Sequence, residues 1–376
     1  MTQSSEILVV GGGMFGAAIA YGLVRLGHDV IMLDEGDHSL RTARANFGLV
    51  WTQAKGKGLH RYHDWSVESG VLWRDFAPQL LEDTGIDVKH RTGGGLDILI
   101  GDEQRANKQQ YIDEMKAQAE AAGSSFEVKI LDRREAQELL PNIRLGQEVS
   151  GASYSAHDGD CNPLRLLRAM HAGFQKRGGR YIIETKADRV SHDGRFFVTE
   201  TSRGKFQSDK IVIACGHGIG ALAPMVGLDA PNRPQRGQVL ITERVEASLD
   251  YCVTPFRQTN EGGFQLGNSE EDVGFDDWTT LDITQRIAER AVRAFPQLAG
   301  VRLVRTWAGT RVLTPDKCAI YDESESHPGA FVATSHSGVT LAAINAHHIA
   351  KWVSNGETEP GFEQFSAKRF DVSKAS

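Results

Sequence analysis

The residues best placed to do chemistry lie near the start of the chain. Gly11-x-Gly13-x-x-Gly16 follows the apolar run Ile7-Leu8-Val9-Val10 and precedes a helical pattern from Ala17 to Leu26. Strand, glycine turn and helix in that order make a seat for a dinucleotide pyrophosphate. Gly11 permits the tight turn, Gly13 lets the backbone approach the phosphates, and Gly16 lets the helix pack close to the strand. The helix N-terminus offers free N–H groups and partial positive charge to the anion. A second strand, His28 to Leu33, ends in Asp34. An acidic residue about 20 positions after the first glycine binds the ribose hydroxyls of an adenosine. The fingerprint alone leaves NAD and FAD open.

Further candidates are scattered. The Arg311 guanidinium can pair bidentately with a carboxylate and so orient an amino-acid-like substrate; the structural alternative is an arginine capping a loop. His336 reads either as a group facing the cofactor or as a ring held by backbone. Lys55 lies in a glycine-rich basic loop, where solvated lysines are common, and Tyr251 lies in a strand pattern, where packed tyrosines are common.

The elements that must position these residues follow from hydrophobic periodicity. After Asp34 the stretch Leu40 to Trp51 fits a brief helix running into an extended segment. Leu59 to Leu81 is a helix whose aromatic residues face a core. His90 to Ile100 is a glycine kink and strand, Asp102 to Ala122 a polar helix, and Val128 to Leu131 a strand. Asp132 with Glu135 is spaced as a capping box. A helix follows Asn162-Pro163 to about Lys176. Strands are expected over 180–184, 186–191, 195–200 and 210–213, the last ending in a second glycine-rich turn. Pro234 to Leu240 is a strand, and Tyr251 to Thr254 and Gly263 to Gly267 form a meander around Asn260-Glu261-Gly262. A helix over Thr284 to Phe295 stops at Pro296. Val301 to Trp307 is a strand, Ala308 to Asp316 a loop, Ala330 to Thr334 a strand, and Leu341 to Trp352 the last helix.

The pattern is α/β with an α+β part. βαβ signals at both ends and in the middle define a discontinuous Rossmann-like nucleotide domain over 1–85, 150–225 and 304–376. A mixed-sheet substrate domain occupies 86–149 and 226–303.

Composition narrows the function. The 376 residues are 40% hydrophobic and 24% charged, with net charge −7 and no long charged block. That argues against a nucleic-acid surface. No run approaches the roughly 20 apolar residues of a membrane span, and the polar start enters the first strand without a signal-peptide pattern. The four cysteines are far apart, without metal-ligand spacing, so no metal centre or iron–sulfur cluster is expected. A cytoplasmic location fits, with peripheral contact at the inner membrane through an electron acceptor as a variant of it.

Five separated segments carry a family resemblance: the glycine fingerprint with Asp34; Asp158-Gly159 with Asn162-Pro163, similar to D-G-x-x-(D/N)-P; Ile213 to Gly216, similar to an A-x-G strand end; Arg236-Gly237-Gln238; and Trp307-Ala308-Gly309-x-Arg311 with Thr314-Pro315-Asp316. In this order they resemble the FAD-dependent D-amino-acid oxidase-like superfamily of glycine and sarcosine oxidases. A narrower likeness, in Arg44 to Trp51 with Gln53 and Lys55 and in Ser335 to Leu341, is to the β-subunits of opine (octopine or nopaline) oxidases and hydrogen cyanide synthase.

The resemblance implies noncovalent FAD, an amine or amino-acid-like substrate, and partner subunits carrying further redox centres. It places the cofactor along Gly11, Gly13, Met14, Phe15 and Gly16, then Asp34 and Glu35, then Arg41, Arg44, Asn46, Gly48 and Leu49. Val190, Ala214 and Gly216 would flank the adenine end. Gly338, Val339 and Thr340 would offer N–H groups to the flavin N1–C2=O edge. Sarcosine oxidases place an oxygen-activating lysine on the strand that here carries Gln265, which implies a dehydrogenase. Glycine oxidases carry an extra arginine where this chain reads His336-Ser337-Gly338, which implies a different substrate. The alternatives are a stand-alone oxidase making hydrogen peroxide, an NAD(P)-dependent dehydrogenase and a flavin-binding scaffold subunit.

Overall fold

The computed structural model describes residues 2–36, 42–246 and 248–371. β1 (Thr2–Val10) leads to α1 (Met14–Arg25) and β2 (Val30–Leu33). The helix starts at Met14 and not Ala17, because extended Gly13 acts as its N-cap and the first turn forms at once. The brief helix expected after Leu40 is not formed by the described residues 42–48. They turn instead around Asn46, whose Oδ1 accepts the Gly48 N–H at 2.7 Å. β3 (Leu49–Val50), α2 (His60–Thr84), β4 (Gly95–Ile100), α3 (Gly101–Ala121) and β5 (Lys129–Asp132) follow. The Asp132–Glu135 capping box opens α4 (Arg133–Leu139), and β6 (Val149–Ser155) comes next. After β7 (Gly159–Asp160), Asn162 caps α5 (Pro163–Lys176) through Leu164 and Arg165 N–H groups. β8 (Arg180–Ile182), β9 (Ala187–His192), β10 (Phe197–Thr201), β11 (Gly204–Ile213) and α6 (Ile219–Leu222) complete the middle of the chain.

The third part holds two corrections. β12 (Arg233–Arg244) is followed by β13 (Cys252–Thr254), β14 (Phe256–Gln258) and β15 (Gly263–Leu266). The hairpin around residues 260–262 joins β14 to β15, while β13 pairs with β4 in a different sheet. The expected meander ran these together because Pro255 alone marks the break. After α7 (Leu281–Ala294), β16 (Leu303–Leu313) includes Ala308 to Leu313, read from sequence as a loop. Ala308 and Gly309 carry little strand signal, but each residue from Ala308 to Leu313 lies opposite a β12 residue in an antiparallel ladder. β17 (Ile320–Glu323), β18 (Ala330–Thr334) and a final helix over 342–355 end the fold.

The largest sheet runs β17-β18-β11-β1-β2-β8, with β10 and β9 attached to β11. β1 is parallel to both β2 and β11, so the chain leaves its C-terminal end at a crevice between neighbouring strands. Ile7 to Val10 are all buried, as a parallel strand covered on both faces requires. Helices α1, α2, α5 and the final helix share one apolar core with β1. Gly22 of α1 lies so close to Ala346 that a Cβ there would strike its carbonyl. The second unit has sheets β14-β15-β12-β16 and β13-β4-β6-β5. Leu96, Leu240, Phe256, Phe264, Ile287 and Phe295 form its core. β6 and β16 belong to these sheets, so the strand pairing changes partners after Ser155 and after Leu313, later than the expected seams at 150 and 304. The β3–β7 ribbon ties residues 49–50 to 159–160.

Candidate active site

The glycine turn has the shape its spacing predicts. Gly11 has φ +110° and lies against Ala214, whose carbonyl carbon would be 2.7 Å from a Cβ. A Cβ on Gly16 would strike the Gly11 carbonyl, and a Cβ on Gly13 would point into open space. α1 begins there without a side-chain cap. Uncapped amides beside open space are what an anion needs. Asp34 Oδ2 accepts the Gly12 N–H at 2.7 Å, so the carboxylate stands directly beside the turn. Met14 and Phe15 are buried in the first turn of α1, and Phe15 stacks on Tyr321. Glu35 is exposed. Gly216 has φ +60° just after Ala214, at the end of β11. Val190 is buried in β9, and its N–H meets Met225 Sδ at 3.4 Å. Arg41 lies outside the described residues. Arg44 is exposed and lines a cleft of about 840 Å³ with Arg168, His171 and Trp307.

A second cradle forms where the chain leaves β18. Trp73 Nε1 on α2 donates to the carbonyls of Val339 and Thr340, at 3.2 and 3.1 Å, and Ser69 Oγ donates to Thr340 O at 2.6 Å. The Val339 carbonyl shares its peptide with the Thr340 N–H, so holding it on α2 turns that N–H away from α2. Among the described residues the amides of Gly338, Val339 and Thr340 donate to nothing. Gly338 packs on the first turn of α1, where a Cβ would come 2.8 Å from Met14 Cβ. The pyrophosphate seat and this row of amides are thus neighbours, and together they fit an extended dinucleotide.

The segment from Asn46 to Gln53 runs alongside. Thr340 Oγ1 accepts the Trp51 N–H at 3.1 Å and donates to Leu49 O at 3.2 Å. Asp158 accepts from Thr52 N at 2.5 Å and from Gln53 Nε2 at 2.8 Å. Burial pushes the Asp158 carboxyl up to about 6, against these hydrogen bonds. Gly48 has φ +87°, and a Cβ on it would meet Cys161 O. Arg257 braces the segment from the β14–β15 side. Its guanidinium donates to Phe47 O, Gln265 Oε1 and Cys161 O at 3.1, 2.9 and 2.8 Å. Its Nε makes an unaligned ion contact of 3.1 Å with Asp160, which also holds Arg91. Gln265 lies beneath Asn46, 3.4 Å from its carbonyl.

Arg311 lies on β16 opposite Gln235 and points to the same face as Gly237 and Gly309. Its guanidinium rests on Gly237, where a Cβ would come 2.6 Å from Nη2. Gly309 has no room for a side chain because Ala45 packs there. Arg311 Nη1 donates to Arg236 O and Ser269 O, and no carboxylate pairs with it among the described residues. Lys55 is no solvated loop lysine. Gln118 of α3 pins its loop through Gly56 O and Gly58 N–H, and Lys55 Nζ donates to Ser337 Oγ at 2.7 Å and lies 3.2 Å from His336 Nε2. Burial pushes the Lys55 ammonium down to about 8 and His336 well below its ordinary range. Tyr251 packs edge-on to Tyr154 and makes no hydrogen bond among the described residues. Cys318 is buried, its thiol pushed up to about 12 by burial, and no thiolate is available there at neutral pH.

The structure therefore brings Lys55 and His336 together, with Arg311 on β16 and Tyr251 on a separate aromatic contact. Sequence reasoning missed Arg257, Asp160, Ser69 and Trp73. Asp160 and Arg257 had no signal, since each stands among polar neighbours, in Asp158-Gly159-Asp160-Cys161-Asn162 and in Phe256-Arg257-Gln258-Thr259. Ser69 and Trp73 had none, since their work is to hold backbone carbonyls from a distant element.

A model of the DAO family, described as FAD dependent oxidoreductase, matches residues 6–352. The B subunit of opine oxidase from Agrobacterium tumefaciens (strain Ach5) is 37% identical over 370 residues, spanning 98% of this chain and 99% of that protein. The HcnC subunit of hydrogen cyanide synthase from Pseudomonas aeruginosa is 26% identical over 419 residues, spanning 100% and 99%. The crystal structure of glycine oxidase from Geobacillus kaustophilus shares the fold, with TM-score 0.86 at 23% identity over 97% of this chain and 98% of that one. The mixed α/β fold, the glycine turn and the match across nearly the whole chain agree: this protein belongs to the DAO family of FAD-dependent oxidoreductases.

Proposed function

We propose that the chain oxidises a C–N bond of a secondary amine or amino acid, as the flavin-bearing subunit of a multi-subunit opine dehydrogenase of the octopine or nopaline type. The observation that carries this reading is Arg311, a half-buried guanidinium with no ion pair among the described residues, laid over Gly237 on the face of β16 where Gly309 packs against Ala45, next to the Asn46–Leu49 segment. An α-carboxylate bound there holds the substrate α-carbon against that segment. The end-to-end similarity to the B subunits of two opine oxidases supports the choice of substrate and of a complex.

Bound FAD supplies a hydride acceptor at N5. The protein's own residues orient and stabilise. Arg311 fixes the carboxylate, and the α-hydrogen leaves with its electron pair as the nitrogen lone pair forms C=N, so no strong base is needed. The amides of Gly338, Val339 and Thr340 provide fixed donors for negative charge that builds on the cofactor edge. Gln265, committed to Arg257 and Asn46, is neutral and gives dioxygen no ammonium, in keeping with electron transfer to another acceptor. Buried, protonated Cys318 is a poor attachment point, in keeping with noncovalent FAD.

The test is anaerobic bleaching of the FAD-loaded chain by octopine, nopaline, sarcosine, proline, glycine and D-amino acids. Reduction by an opine with a dye as acceptor, little peroxide in air, and a yellow supernatant after acid precipitation are expected. Efficient peroxide formation would favour a stand-alone oxidase, and no bleaching by any compound would sink the amine-oxidising reading.

A further inference from the structure

The segment between β15 and α7 has little apolar packing to hold it. Phe275 and Trp278 on it are 68% and 77% exposed. Its inner end is fixed instead by polar contacts that converge on Glu271. The Glu271 carboxylate accepts from Arg236 Nη2 at 2.7 Å, Gln238 Nε2 at 3.0 Å and Ser269 Oγ at 2.6 Å. Its main chain bridges that of Arg236 in both directions, at 2.9 and 3.0 Å. The Ser269 hydroxyl in turn accepts the Gln238 N–H at 2.9 Å. Only 5% of the Arg236 side chain and 15% of the Glu271 side chain meet solvent, so these charge-assisted contacts are little screened.

Arg311 reaches this segment across β12. It starts opposite Gln235, its guanidinium rests on Gly237, and Nη1 donates to Arg236 O at 3.3 Å and to Ser269 O at 3.0 Å. Arg236 O also accepts the Glu271 N–H, and Ser269 is tied to Glu271 through its hydroxyl. Both anchors of Nη1 are therefore held by one residue. Nε and Nη2 of Arg311 make no hydrogen bond among the described residues. That edge of the fork suits the two oxygens of a carboxylate. The charges of Glu270 and Glu271 both weigh on Arg311; Glu270 makes no ion pair among the described residues, and Glu271 is committed to Arg236.

We propose that Glu271 is a positioning residue for the substrate carboxylate: through Ser269 and Arg236 it fixes Nη1 of Arg311 and so aims Nε and Nη2. This rests on the reading of Arg311 given above. Charge alone gives the opposite sign. Removing a carboxylate beside an anion site leaves a more positive field, so Glu271→Gln would tighten anion binding by Coulomb attraction. Positioning requires the same substitution to loosen it.

The test is equilibrium binding of butyrate to the FAD-loaded chain, read from the flavin spectrum. Glu271→Gln and Ser269→Ala should each weaken butyrate by roughly five- to twentyfold, the second without any change of charge. In anaerobic bleaching by octopine, the half-saturating concentration should rise by a similar factor and the limiting rate should change less. FAD affinity should stay the same, which a general loosening of the fold would not allow. Tighter or unchanged butyrate binding in Glu271→Gln would overturn the role, as would a loss of FAD in step with the loss of butyrate in both variants. Arg311→Gln separates the two readings. If it loses butyrate while Glu271→Gln and Ser269→Ala keep it, only the positioning role fails. If Arg311→Gln itself binds butyrate as the wild-type chain does, or the wild-type chain binds none, Arg311 is not the carboxylate holder and both readings fail. Octopine that fails to bleach the flavin would sink the proposed substrate and leave the butyrate result standing.

Discussion

Replacing Arg257 with methionine tests how the Asn46–Leu49 segment is held. The guanidinium is 2% exposed and bridges two sheets to the Asn46–Leu49 turn. The substitution keeps much of the apolar stem and removes the charge, the contact to Asp160 and the donors to Phe47 O, Gln265 and Cys161 O. Breaking a buried ion pair costs about 3–5 kcal/mol when the remaining charge is stranded. Here Asp160 retains Arg91, at 2.6 Å from Nη2, so the lower end applies. Two buried carbonyls also lose donors, at about 1 kcal/mol each. The sum is about 5 kcal/mol, an appreciable fraction of the roughly 5–15 kcal/mol of a typical fold. Urea denaturation of the FAD-loaded chain should show the midpoint falling at an unchanged slope, and FAD should dissociate more readily. A double-mutant cycle with Asp160→Asn should give a coupling of about 1–3 kcal/mol. A loss below about 1 kcal/mol with unchanged FAD affinity would refute the bracing role, and strict additivity would refute the pair.

Two further outcomes follow from the same geometry. Gly237→Ala places a Cβ 2.6 Å from Arg311 Nη2, so the guanidinium must move; carboxylate substrates should lose about tenfold or more in affinity, about 1.4 kcal/mol, with the denaturation midpoint nearly unchanged. An unaltered KM would count against Arg311 as the carboxylate holder. Asp158 is raised from 3.8 to about 6 in the folded chain, so its contribution is fully present below pH 3.8 and is lost as pH rises through about 6. The amount is about 3 kcal/mol. Wild-type stability measured from pH 4 to 7 should decline relative to Asp158→Asn, and parallel curves would show that the buried carboxyl is not perturbed.

Much of this site is legible in the sequence because local chemistry dictates it. The glycine turn must adopt φ values that only glycine tolerates, and the apolar run before it must be a buried strand. The Asp132 and Asn162 caps are equally local. What escapes is pairing between distant segments. Gly309 weakens the strand signal of β16, yet Ala45 needs its missing side chain, and no window around residue 309 contains Ala45. Lys55 looks like a solvated loop residue until Gln118, 63 positions later in the sequence (118 − 55), pins the loop. The division between β13 and β14 depends on which sheet each joins, and β4 lies far upstream.

The row of amides at Gly338 to Thr340 has an evolutionary consequence. The donors belong to the main chain, and Trp73 on α2 aims the Thr340 N–H through the Val339 carbonyl, so replacing the Val339 or Thr340 side chain removes no main-chain donor, whereas Gly338 has no room for a side chain against Met14. Arg311, Lys55 and His336 act through their side chains and can each be exchanged by a single substitution. On the proposed reading, single substitutions can therefore change the groups toward the substrate without removing the donors toward the cofactor.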